Sequence, residues 1–138
     1  MHGGTKPLFH KDIRGPNIVQ RADDPSRWFL IDWDDAAVPT TSAAMHLNQN
    51  YHSSSVFRDG HAGEVDVWAV GKVMSKASRR LLGFPSNIVA VGEKMQTETI
   101  GTEEALDMIK ESRRQLSSIQ EKINPHYIWV DLQAMFSH

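Results

Sequence analysis

The sequence contains no cysteine. That absence excludes a disulfide framework and any thiolate metal site. No apolar run approaches the roughly 20 residues needed to span a bilayer. The opening Met1-His2-Gly3-Gly4 has none of the apolar core of a secretory signal. A strong charge of one sign is also missing. The formal net charge is -2, so no global basic field recruits nucleic acid or an anionic membrane. The expectation is a soluble intracellular protein, cytoplasmic or nuclear, with neither nucleic acid nor membrane as a partner. Internal repeats and low-complexity segments are absent. Apolar residues make up 40% of 138 residues, which suits one domain, 1–138, with enough chain to bury a core.

What is present is organised around one stretch, His10 to Asp35. It begins His10-Lys11-Asp12-Ile13-Arg14-Gly15-Pro16-Asn17, which fits H-x-D-x-x-x-x-N. A polar loop follows, and then Trp28-Phe29-Leu30-Ile31 runs into Asp32-Trp33-Asp34-Asp35. Farther on stands Asp66-Val67-Trp68-Ala69-Val70-Gly71. Taken singly, each has a plain reading. Asp32 is a polar residue ending a strand, and Asp66 is an acidic residue in the first turn of a helix, where the dipole favours it.

The pattern of apolar residues supplies a scaffold. Ile18-Val19-Gln20 and Trp28 to Ile31 read as two short strands that pair as a hairpin, with a turn composition between Arg21 and Arg27. Met1 to Leu8 reads as a flexible lead-in. Residues 38–60 lack periodicity and read as a long loop. Glu64 to Leu82 is a helix: Val67, Val70, Met74, Ala77 and Leu81 share one face, and Trp68 and Val73 widen it. Trp68 should be largely buried. Gly83 and Pro85 stop that helix. Ser86 caps a shorter one through Met95. Thr102, with Glu103 and Glu104, opens another that runs to Lys122, with Ala105, Ile109, Leu116 and Ile123 in its stripe and Leu106 alongside. Asn124-Pro125 starts a last helix burying Ile128, Trp129, Leu132, Met135 and Phe136. The fold class is therefore mainly α (α+β), helical with a small β-hairpin.

Taken in order, the three motifs resemble the C-terminal lobe of the fungal-type protein kinase-like family, in which an Ile-Asp-Phe/Trp-Asp version of the metal motif is common. The resemblance implies a protein kinase-like C-terminal lobe of Ser/Thr kinase lineage. Asp12 would be the base that orients the attacking hydroxyl, and Arg14 would neutralise the transferred phosphate. Asn17 and Asp32 would hold Mg2+ and, through it, ATP. His10, Asp66 and Trp68 would be structural, with His10 and Asp66 fixing the catalytic loop. Residues 38–60 would correspond to the activation segment, with Ser53-Ser54-Ser55 near the place of Ala-Pro-Glu. Lys11 stands for the usual arginine, and Asp34 for the glycine of the metal motif. The short lead-in has no room for a glycine-rich phosphate loop or a strand lysine, so the N-terminal lobe is expected to be absent and the isolated chain inactive. The alternative is a non-catalytic, pseudokinase-like interaction module that binds a protein partner on the open face bearing Asp12, Asn17 and Asp32.

Two weaker signals complete the reading. His46, His52 and His61 are too loosely spaced for a zinc set and lack a fourth ligand, so they read as loop-ordering or solvated. Thr40, Thr41 and Ser42 offer hydroxyls that could accept phosphate.

Overall fold

Branched and aromatic residues favour the pleated backbone, and the chain forms its only two strands, among the described residues, where they cluster. In the computed structural model, which describes residues 5–78, 85–97 and 100–120, β1 spans Ile18–Gln20 and β2 spans Trp28–Leu30. They pair antiparallel, with Ile18 opposite Leu30 and Gln20 opposite Trp28. The second strand stops one residue short of the expected Ile31: the Ile31 amide still donates to the Asn17 carbonyl at 2.8 Å, but Asn17 already belongs to a 3-10 turn, Gly15–Asn17. Asp24 and Pro25 shape the turn, with the Ser26 hydroxyl and amide both donating to Asp24 Oδ1.

Among the described residues three helices follow: α1 Glu64–Ser78, α2 Ser86–Met95 and α3 Thr102–Gln120. Glu64 and Asp66 in the first turn of α1 face the positive end of its dipole. Glu103 and Glu104 do the same for α3. The cap of α2 differs from expectation. Pro85 occupies the N-cap position and Ser86 is already helical, with no side-chain hydrogen bond closing the end. The expected continuation of α1 to Leu82, of α3 to Lys122, and the last helix lie outside the described residues.

The core sits where α1, α2 and α3 meet. Val67 of α1, Met95 of α2, Ile100 just ahead of α3 and Ala105 within it are buried together, with Val70, Met74, Val91, Met108 and Ile109 packed around them. Leu106, expected beside the stripe, is exposed. Two glycines set how closely α1 and α2 approach. A Cβ on Gly71 would lie 2.5 Å from the Gly92 carbonyl oxygen, and one on Gly92 would lie 2.8 Å from the Gly71 oxygen. No other residue fits at that crossing.

The segment 38–60 is more than a surface loop. Ala44 and Val56 join Val65 of α1 in a second buried cluster. The Ala44 amide donates to the Val56 carbonyl at 2.9 Å, and Gly60 closes back on the Thr41 carbonyl at 2.9 Å. A short 3-10 turn, Ser54–Phe57, is capped by Ser53. The segment thus folds on itself, as compact loops with close ends do.

Trp68 is half-buried rather than largely buried. Its ring lies under the Lys72 ammonium, 5.0 Å from the ring centroid, so one face serves a cation instead of the core.

Candidate functional site

The site begins with a carboxylate on α1. Asp66 accepts the backbone amides of both His10 and Lys11, each at 2.8 Å, from more than fifty positions away in the chain. Both residues are buried, so these amides have no water to turn to. Burial pushes the Asp66 carboxyl up from its usual range, while the two amide bonds oppose that shift. Lys11 has φ 70, in the left-handed region. A lysine gains nothing from that conformation, and the Asp66 clamp holds it there.

The kink at Lys11 sets His10 and Asp12 on either side. His10 accepts the Asp12 amide on Nδ1 at 3.2 Å and donates from Nε2 to the Ile31 carbonyl at 3.0 Å. One acceptor and one donor assign the neutral tautomer protonated on Nε2. The edge of Trp33 packs against this ring, with centroids 4.5 Å apart, and the indole N–H donates to the Leu30 carbonyl at 2.8 Å.

Asp12 is 6% exposed. One carboxylate oxygen faces His52 Nε2 at 2.7 Å and Arg14 Nε at 3.2 Å. The other accepts the Asn17 amide nitrogen at 3.1 Å, and that nitrogen also donates to the Asp12 carbonyl at 2.8 Å. The second nitrogen of His52 faces the Asn48 carbonyl at 2.8 Å. Both ring nitrogens therefore face acceptors, so a proton is shared between His52 and Asp12 or His52 carries two. The carboxylate is closed: three side chains hold it and it is nearly shut off from solvent.

Asp32 lies beside this cluster through the backbone. The Ile31 amide bonds to the Asn17 carbonyl, and the Ile31 carbonyl takes the His10 ring. Asp32 has φ 63 and an exposed side chain. The left-handed residue of the Asp32-Trp33-Asp34 stretch is thus Asp32 and not Asp34. A turn closed by the Ala36 amide on the Trp33 carbonyl at 3.0 Å carries Asp34 without that requirement.

The histidines separate. His46 pairs with Asp35 at 2.5 Å, His52 with Asp12, and His61 donates from Nδ1 to the Arg58 carbonyl at 2.8 Å. His61 Nε2 is buried with no hydrogen-bond partner among the described residues. Among the described residues no group of three or more His, Asp or Glu is placed to hold a metal ion. Thr41, read as a possible phosphate acceptor, is buried with its hydroxyl donated to the His61 carbonyl. Among the described residues no helix is long and apolar enough to cross a membrane.

The pairing of His52 with Asp12 carries no sequence signal. The two stand forty positions apart, in a segment whose periodicity is silent. No family model, curated protein or solved structure matches the chain.

Proposed function

We propose that the chain is a protein kinase-like C-terminal lobe of Ser/Thr kinase lineage, with its phosphotransfer residues held in a closed arrangement. The observation that carries this reading is the Asp66 clamp. The helix carboxylate joins the third motif to the first by fixing His10 and Lys11, and the His10 ring joins the second by reaching the residue before Asp32. Three stretches that resemble a kinase in sequence thereby meet in space.

Asp32 and Asn17 would hold the magnesium of a nucleotide. Their donors fit it: a carboxylate and an amide oxygen are the hard ligands this ion accepts. The Asn17 nitrogen is engaged by Asp12, which leaves its oxygen as the remaining acceptor. Bound there, the metal supplies charge neutralisation for the phosphates. Asp12 would orient the hydroxyl that attacks, and Arg14 would stand against the transferred group. In the closed arrangement Arg14 and His52 are committed to Asp12 instead. Alignment of reacting groups can be worth roughly 7–11 kcal/mol in favourable cases, so a closed Asp12 supports an expectation of no measurable transfer.

A second reading, a non-catalytic interaction module, is favoured by a separate observation. Phe29, Ile31 and Trp33 are each more than two-fifths exposed on consecutive odd positions around Asp32. That apolar surface suits a protein partner. Calorimetry of ATP binding with and without magnesium separates the two readings. Under the kinase-like reading, binding is weak, requires magnesium and is lost in Asp32→Asn. No heat at millimolar nucleotide with magnesium leaves only the interaction module. A radiolabelled phosphate-transfer assay on a generic protein substrate accompanies it. Transfer abolished by both Asp12→Asn and Asp32→Asn would overturn the closed arrangement.

A further inference from the structure

Behind the His10–Asn17 loop, against the flank of α1, lies a groove of about 310 Å³. Ile13, Pro16, Val73 and Ala77 give it apolar walls. Among the described residues its charged lining is Arg14, Lys72 and Lys76, with no carboxylate. Arg14 is partly neutralised by Asp12. Lys72 and Lys76, one helical turn apart on α1, form no ion pair with an acidic side chain among the described residues and repel each other.

Lys72 is held in place and not free to swing. Its ammonium sits 5.0 Å from the Trp68 ring centroid and 5.7 Å from that of Tyr51, and it donates to the Asn50 carbonyl. That contact uses one of three N–H donors and leaves two for a ligand. Burial and the neighbouring Lys76 charge both lower the Lys72 pKa, so an anion in the groove would relieve an existing cost.

We propose that this groove binds an acidic side chain on an extended segment of a partner protein, with Lys72 and Lys76 as the charge-reading residues. The apolar walls match the aliphatic stem of a glutamate, and the cations match its carboxylate. The volume exceeds what an isolated small anion fills and falls within the range of built ligand sites. The formal net charge of -2 disfavours an extended polyanion such as nucleic acid or an anionic membrane. The groove needs neither nucleotide nor metal, so the inference goes beyond the kinase-like reading and stands apart from it.

The test is fluorescence anisotropy with the full chain and no nucleotide or magnesium. The probes are three labelled serine-containing peptides of one length, flanked by Glu, Gln or Lys. The Glu peptide should bind at least about tenfold more tightly than the Gln peptide, equivalent to ~1.4 kcal/mol, and its affinity should fall with salt. Lys76 is exposed, so Lys76→Glu should fold normally. It should weaken the Glu peptide by a similar factor and confer binding of the Lys peptide. Lys72→Gln should weaken the Glu peptide as well. Equal affinity for Glu and Gln peptides, or an unchanged Glu affinity in Lys76→Glu, overturns the proposal. So does phosphatidylserine vesicle or inorganic phosphate binding that matches the Glu peptide. Loss of magnesium-dependent nucleotide binding with the peptide preference intact would remove the kinase-like reading and leave this one standing.

Discussion

Replacing Asp66 tests whether one helix carboxylate holds the His10–Asn17 loop. In Asp66→Ala two buried amides, those of His10 and Lys11, lose their acceptor at once. A buried donor left unsatisfied costs about 1–3 kcal/mol, so the pair costs about 2–6 kcal/mol. Relief of the carboxylate's own burial offsets part of this, which leaves ~2–4 kcal/mol. That is a large share of a small domain's stability of about 5–15 kcal/mol. Asp66→Asn should fare little better. Its amide oxygen accepts one N–H, while its own NH2 faces the other. The pH dependence adds a second readout. The folded carboxyl titrates above its unfolded value of 3.8. Between those two points the native state binds more protons than the unfolded chain, so stability falls as pH rises through the window. The parent should therefore gain stability over Asp66→Asn as pH is lowered from neutral through the folded pKa towards 3.8. Urea unfolding followed by circular dichroism across that range measures both effects. As a control, Asp23→Ala removes an exposed ion pair with Arg21 and should change nothing measurable. An Asp66→Ala midpoint equal to that of the control would refute the clamp.

Gly71→Ala and Gly92→Ala should each destabilise the chain despite the better helix propensity of alanine. The added methyl meets backbone oxygen at 2.5 Å or 2.8 Å, and overpacking of about 1–3 kcal/mol outweighs a propensity gain of about 1 kcal/mol. A raised urea midpoint in either variant would show that the α1–α2 crossing is looser than described. Asp32→Gly should raise thermal stability by up to about 1 kcal/mol by removing a left-handed non-glycine residue, because its exposed side chain has little packing to lose. A fall in the melting temperature would mean that the Asp32 carboxylate itself supports the fold.

The sequence disclosed the skeleton where local chemistry is decisive. Branched and aromatic residues marked β1 and β2, and acidic first turns marked the starts of α1 and α3. Met95 was read as the end of α2, where the helix does stop. Three features were not legible, each for a reason. Trp68 was expected inside because periodicity sees apolar area and does not see the cation four residues on. Gly71 and Gly92 show their purpose only when two helices are placed together. His52 reaches Asp12 through a segment without period, and no rule of spacing spans forty residues. The cap of α2 failed differently: a serine before an apolar run is a good signal, but the proline ahead of it had already taken the non-helical position.

The His10 ring has a consequence beyond holding the loop. It accepts a hydrogen bond on one nitrogen and donates one from the other, so the Asp12 amide, the imidazole and the Ile31 carbonyl form a single polarised relay. In a buried setting such bonds strengthen one another. The two left-handed residues, Lys11 and Asp32, stand at its two ends. Trp33 rests its edge on the middle. Whatever occupies the surface around Trp33 therefore presses on the imidazole at the centre of a relay that ends on the backbone of Asp12.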